Sequence, residues 1–355
     1  MTFLPFRFRC LTGVLVVTAL TAGAAPGLRA QAPASASASA LLSALAADSM
    51  EGRRTGTEGY RRAARLVAAE MERIGLAPAG DSGFYQRMPL VHSGGGNGRL
   101  RLLPSWADLD TVPAERRATE VNVVGILPGA DPALAGEAII VGAHLDHLGI
   151  GRVVDGDSIY NGADDDASGV VAVLRIAEGL RAMAAEPPGR TIVFVAFAGE
   201  EMGGLGSRWY LEHPVHPLDR TVAQFQIEMI ARPDSLAGGP GRAWLTGYER
   251  STMGERLAAA GIPLVADPRP DQNFFRRSDN YRFAVAGIPA HTLSSYNMHA
   301  DYHRPQDEAR LADPEHMAAV IEAATRAVHL LSTGPRPEWK PGGRPQPAPP
   351  RVPRD

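Results

Sequence analysis

At 355 residues the chain is long enough to bury a sizeable core, and 45% hydrophobic with 21% charged residues is ordinary for a soluble globular protein. A formal net charge of -3 gives no basis for nucleic acid or an anionic membrane surface as a partner. Cys10 is the only cysteine, which excludes a disulfide framework and leaves stability to the core and to any bound metal.

Residues 1–30 have the order of a secretory signal peptide. Arg7 and Arg9 precede an apolar run over residues 11–20, and small residues follow, with cleavage expected after Ala24 or Ala30. The run is too short to span a bilayer comfortably, and no later segment approaches that length. Cys10 lies before the run, where a lipid-attachment cysteine would lie after it. The mature protein is therefore expected in the periplasm or outside the cell, free of the membrane. Residues 32–40 alternate Ala, Ser and Pro, and residues 31–39 read as a flexible linker behind the signal.

A helical pattern begins at Ala40, and residues 59–76 carry apolar side chains at Ala63, Leu66, Val67, Met71 and Ile74, a 3.6-residue period stopped by Gly75. Strands are expected over residues 121–127 and 138–143, then a helix over 167–184. The run 191–197 is rich in β-branched and aromatic residues and reads as a strand. A helix (205–211), a strand (222–227), two helices (253–260 and 279–286), a short strand (290–293) and a closing helix (314–331) follow. This alternation predicts an α/β sandwich with a largely parallel central sheet, built as one domain over residues 40–333. Residues 334–355 are dense in Pro and Arg and are expected to be disordered.

Carboxylates and histidines gather at the ends of the apolar runs. His144 and Asp146 end the predicted strand 138–143, where open α/β sheets place active sites. Residues two apart on a strand share a face, so Asp146 is placed to hold the second ring nitrogen of a ligating His144. Asp164, Asp165 and Asp166 are adjacent carboxylates that repel one another unless a cation compensates. A helix N-terminus explains Asp166, and less easily all three. Glu200 and Glu201 suit a division of labour, one binding metal while the other acts as general base toward the attacking water. Glu228 stands between Ile227 and Met229, where a core does not accept an unpartnered carboxylate. His303 follows the last strand, with His299 its competitor. His92, His147, His213, His216, His291, His316 and His329 read as surface or hydrogen-bonded structural residues.

Taken in order, these residues resemble peptidase family M28, a family of zinc peptidases. The resemblance covers nearly all of residues 44–330. It runs through Gly52-Arg-Arg-Thr-Gly-Thr-Glu-Gly59, Asn122-Val-Val-Gly-Ile-Leu-Pro-Gly129, His144-Leu-Asp146 and Gly162-Ala-Asp-Asp-Asp-Ala-Ser-Gly169. It continues in Gly199-Glu-Glu201, Gly206-Ser207, Arg277-Ser-Asp279, Gly287-Ile-Pro289 and Tyr302-His303. It implies a three-layer α/β/α sandwich of the zinc-peptidase type, with a mixed, mostly parallel sheet and a site for two Zn2+ ions. By position, His144 would bind one zinc and His303 the other, and Asp165 would bridge them, with a cis peptide between Asp165 and Asp166. Glu201 would share a zinc, Glu200 would be the base, and Asp146 would orient His144. Apart from the resemblance, Tyr302, next to His303, is a candidate hydrogen-bond donor to the tetrahedral oxyanion, the alternative being a packing tyrosine. Two positions depart from the family's pattern. Glu228 stands where aspartate is usual, which predicts a displaced or weaker second zinc, and Asn280 stands where many relatives have histidine.

The activity so implied is removal of N-terminal residues from peptides with a free amine. Residues 86–121 are too few for an inserted accessory domain, as in compact bacterial aminopeptidases. A carboxypeptidase or dipeptidase, a glutaminyl cyclase and a non-catalytic binding ectodomain are the alternatives on this fold. Specificity is expected from the loops 148–160 and 233–242.

Overall fold

The three seven-residue strands Ala138–His144, Thr191–Phe197 and Thr221–Ile227 are buried along their whole length, as is Ala290–Ser294 beside them, as strands covered on both faces must be. The structure, a computed structural model, describes residues 1–2, 34–94 and 99–346. The expected signal peptide lies outside the described residues apart from its first two.

In chain order the helices are α1 (Ala34–Leu45), α2 (Glu58–Ile74), α3 (Trp106–Thr111), α4 (Gly169–Ala182), α5 (Leu205–Glu212), α6 (Met253–Ala259), α7 (Asn280–Ala286) and α8 (Pro314–Thr333). The strands are β1 (Ala77–Pro78), β2 (Tyr85–Ser93), β3 (Arg99–Leu102), β4 (Arg117–Leu127), β5 (Ala138–His144), β6 (Gly149–Val154) and β7 (Asp157–Tyr160). They continue with β8 (Thr191–Phe197), β9 (Thr221–Ile227), β10 (Ala243–Leu245), β11 (Leu264–Ala266) and β12 (Ala290–Ser294). The main sheet runs β11-β10-β12-β9-β5-β8-β4-β2-β3, with β1 also on β4. Its centre, β12-β9-β5-β8, is parallel, whereas β4, β2 and β3 add antiparallel on one side and β10 on the other.

Alternate residues of β5 serve the two faces. Ile139, Val141 and Ala143 pack in one cluster with α1, α2, α4 and α8, and Ala138 and Ile140 in another with Tyr210 of α5 and Phe283 of α7. This is the expected three-layer sandwich. Helix α2 has a Thr57 cap whose side chain accepts the Tyr60 N–H, and it stops at Gly75 in the left-handed region.

Two expectations change at the ends of the domain. The Ala/Ser stretch read as a flexible linker is the first half of α1 from Ala34 onward. Alanine is the strongest helix former, and Ala38, Leu41, Leu42 and Leu45 give the helix a buried face. Residues 334–346, expected to be disordered, lie against the domain. The Trp339 indole N–H donates to Gly287 O at 2.9 Å, Lys340 pairs with Glu255 at 2.6 Å, and Trp339 packs on the cluster that holds Phe275 and Phe283. One tryptophan and side-chain pairing order a segment whose overall composition is apolar-poor. Residues 347–355 lie outside the described residues. Among the described residues no helix is long and apolar enough to cross a membrane.

Candidate metal centre

The loops that leave the carboxyl ends of β5, β8, β9 and β12 meet at one place, and each brings part of the cluster. Strand β5 ends on His144 itself. Its imidazole is buried, with Nδ1 3.0 Å from the backbone carbonyl of Asp146 and Nε2 3.1 Å from Asp165 Oδ1. The orienting group is therefore the Asp146 carbonyl rather than its carboxylate, which lies 3.8 Å from Nδ1. The chain turns after His144, so the two residues do not share a strand face. The Asp146 carboxylate instead accepts the backbone N–H of Glu200 at 3.0 Å, and burial raises its pKa to about 6.

The three aspartates have three separate tasks. They sit in an irregular turn, Ala163–Ser168, ahead of α4, and the Asp165–Asp166 peptide is cis. Asp164 accepts from the Ala231 N–H at 2.8 Å and lies 3.0 Å from His299 Nε2. Asp166 takes the N–H groups of Gly169, Met229 and His144 at 3.0, 3.2 and 3.3 Å. Asp165 faces the cleft. Its Oδ1 is turned to His144, and its Oδ2 is 3.1 Å from His303 Nε2. Burial works against the Asp165 charge, but the two imidazoles outweigh it and hold the carboxyl well below the ordinary range.

Glu201 Oε1 lies 3.3 Å from His303 Nε2, and Glu228 follows the last residue of β9. Glu228 accepts hydrogen bonds from Ser278 Oγ and from Gln226 Nε2, the latter at 3.1 Å, and burial raises its pKa to about 7. Glu200 lines the same cleft. Burial first, and then the charges of Asp279, Glu228 and Glu201 against the opposing pull of His144, push its pKa well above the usual carboxylate value. His303 has φ 57°, left-handed for a non-glycine residue, and its ring stacks on Tyr302 with centroids 3.9 Å apart.

Several groups stand where no local pattern of the sequence places them. His147, set aside with the structural histidines, is 1% exposed, and its Nδ1 is 3.0 Å from Glu201 Oε1. Its spacing of three from His144 was the available signal. Asp307 accepts the N–H groups of Asp164 and Asp165 at 3.0 Å each and pairs with Arg232. His299 reaches Asp164 and not Asp165, so it does not stand in for His303. The loops 148–160 and 233–242 do not line the cleft, whose apolar wall is Met229, Trp244, Phe274, Tyr296 and Tyr302.

Quieter motif residues fix these loops. Asn122 donates to Gly206 O at 3.0 Å and accepts from the Ala198 N–H at 3.0 Å, tying β4 to the Glu200 loop. A Cβ at Gly206 would meet Asn122 Oδ1 at 2.1 Å, so only glycine fits there. Ser207 donates to Asp279, and Ser278 donates to Glu228, so the two serine motifs hold the cleft from the α5 and α7 sides.

Two groups of ligand atoms, each within 4.8 Å of one another, are of a type that holds a divalent cation: His144, Asp166 and Glu228, and His147, Asp165 and Glu201. Buried carboxylates with few cations nearby are costly unless an ion compensates, and among the described residues Asp146 Oδ2 and Glu201 Oε1 are buried without hydrogen-bond partners.

The family model for peptidase family M28 matches residues 122–328, more than half of the chain. The chain belongs to this family. It is 26% identical over 232 residues to a probable leucine aminopeptidase 2 of Aspergillus oryzae, covering 63% of this M28 chain and 44% of that protein. The chain thus spans less than half the length of that relative. A zinc aminopeptidase from Bacillus subtilis, BSAP, has the same fold, with a TM-score of 0.59 and 17% identity over 83% of this chain and 94% of that one. A glutaminyl cyclase of Porphyromonas gingivalis does so too, with a TM-score of 0.58 and 16% identity over 83% and 97%.

Proposed function

We propose that this M28 peptidase is an exported zinc-dependent aminopeptidase that removes N-terminal residues from peptides. The observation that carries the reading is the placement of Asp165, one oxygen toward His144 and the other toward His303. Glu228 lies on the first side and Glu201 on the second. These donors suit two zinc ions, with His144 and Glu228 holding one, His303 and Glu201 the other, and Asp165 both. Bound there, zinc supplies Lewis acidity toward the scissile carbonyl and the attacking water. Glu200 takes the proton from that water and returns it to the leaving amine, a role suited to a carboxylate whose pKa burial has raised. Asp146 holds the Glu200 backbone in place. Tyr302, stacked on His303, is the candidate hydrogen-bond donor to the oxyanion. Trp244, Phe274 and Tyr296 form an apolar end to the cleft that suits a hydrophobic N-terminal side chain. Export rests on the charged, apolar and small-residue order of residues 1–30.

The test is hydrolysis of amino acid p-nitroanilides and their N-acetylated counterparts, with and without a chelator and added zinc. Cleavage of free-amine substrates alone, lost on chelation and restored by zinc, is the expected result. Cleavage that survives chelation overturns the metal mechanism. No cleavage with zinc bound overturns the aminopeptidase assignment in favour of carboxypeptidase, dipeptidase or cyclase activity.

A further inference from the structure

His147 is a buried histidine that the ligand set proposed above leaves without a task. Both of its ring nitrogens are buried and lack hydrogen-bond partners among the described residues, as does Glu201 Oε1, only 3.0 Å from its Nδ1. Two unpaired polar atoms at contact distance, without the angles of a hydrogen bond, have the relation of two ligands of one ion. The rest of the set is in place. His147 Nδ1 is 3.8 Å from Asp165 Oδ2, and His303 Nε2 is 3.1 Å from that oxygen and 3.3 Å from Glu201 Oε1. Four protein atoms bonded tetrahedrally to zinc at 2.0–2.2 Å lie about 3.4 Å from one another. The distances here, 3.0 to 3.8 Å, straddle that edge length.

The ring is also held in place. Gly162, at φ 55°, passes so close that a Cβ there would meet His147 Cγ at 2.5 Å. A buried imidazole whose ring nitrogens lack partners is unfavourable, and an ion at Nδ1 removes part of that cost.

We propose that His147 is a fourth protein ligand, through Nδ1, of the ion on the His303 side, an inference that rests on reading the cleft as a two-zinc centre. That ion then has the closed set His147, Asp165, Glu201 and His303. The His144 side, with His144, Asp165 and Glu228, keeps the open coordination position that catalytic zinc requires. Asp166, beside it, already accepts three backbone N–H groups. The two positions therefore differ in kind: the His147 side binds tightly and the His144 side exchanges.

The test is metal binding itself. The chelator-stripped protein is titrated with Zn2+ and with Co2+ against a chromophoric chelator, beside His147→Ala and His147→Gln. The unaltered protein is expected to bind two equivalents. Both variants should keep one equivalent unchanged and bind the other more than about 100-fold more weakly, beyond the 10–100-fold typical of losing an outer partner. The intense visible bands of tetrahedral Co2+ should fade with it. Unchanged affinity in the variants overturns the proposal. So does weakened affinity with an unchanged Co2+ spectrum, because His147 would then only hold Glu201. Thermal unfolding of the stripped proteins is expected to agree closely, and a stripped His147→Gln that fails to fold would place His147 in the fold instead. If the unaltered protein binds no ion, the two-zinc reading itself falls.

Discussion

The carboxylate of Asp146 accepts the backbone N–H of Glu200 at 3.0 Å, so the turn after β5 holds the turn after β8 across 54 positions of sequence. The contact sets where the Glu200 side chain starts from. The carbonyl of the same residue holds His144 Nδ1 at 3.0 Å. Side chain and backbone of Asp146 thus serve different halves of the site. Asp146→Ala is expected to lower kcat about 100-fold, the scale of a misplacement near 1 Å, with metal content unchanged. Metal analysis beside the kinetics checks this. Loss of metal together with activity would mean that the carboxylate acts through His144.

Glu200→Gln keeps the size of the side chain and removes its ability to take a proton. Turnover is expected to fall about 1000-fold, within the usual range for loss of a general base, with KM and metal content little changed. Retained activity would refute Glu200 as the base.

Arg53 is fully buried, and its guanidinium donates to four backbone carbonyls. Nε reaches Leu145 O at 3.0 Å, Nη1 reaches Leu45 O at 2.9 Å and Asn161 O at 2.6 Å, and Nη2 reaches Gly162 O at 2.8 Å. It fastens the end of α1 to both ligand-bearing turns. Arg53→Met leaves four carbonyls facing an apolar chain and should cost about 3 kcal/mol or more in denaturant unfolding. Metal affinity should fall with it, because the turns that carry His144 and Asp165 lose their common anchor. Full stability in Arg53→Met would show that the carbonyls find other donors.

What the sequence made legible follows from period and length. Long amphipathic or continuously apolar runs such as α2, α8, β5 and β8 announce themselves, and they place the strand ends where the site lies. Residues 85–93 do not read as a strand because Gln86, Arg87 and Pro89 break their apolar run, and residues 99–102 alternate over too few positions to stand out. Strands β10 and β11, at three residues each, carry too little periodicity to read. His147 and Asp307 were missed for another reason. Their roles depend on how distant turns meet, which no local pattern records. Residues 334–346 escape because composition averages away Trp339, the aromatic side chain that, with the Lys340–Glu255 and Arg336–Glu137 pairs, anchors them. Deleting residues 334–355 should lower the unfolding free energy, and Trp339→Ala alone should cost about 2 kcal/mol, less than a fully buried tryptophan because Trp339 is half-buried. Denaturant midpoints measure both, and an unchanged midpoint would mean that the segment adds no stability.

His291 gives the fold a pH dependence independent of the metal centre. It is buried, with Nδ1 donating to Thr246 O at 2.8 Å and Nε2 2.7 Å from Ser251 Oγ, whose hydroxyl donates to it when the ring is neutral. Burial lowers its pKa to about 4. In the unfolded chain a histidine takes its proton near pH 6.5. Between those values the unfolded state binds the extra proton, so stability is complete above about pH 6.5 and is lost as the pH falls toward 4. The loss approaches about 3 kcal/mol. His291→Gln cannot take up that proton in either state. The unfolding free energy of the natural protein should therefore fall relative to His291→Gln by about 3 kcal/mol between pH 7 and pH 4, measured in urea on chelator-stripped samples. Parallel pH profiles would show instead that His291 is protonated in the folded state as readily as in the unfolded one.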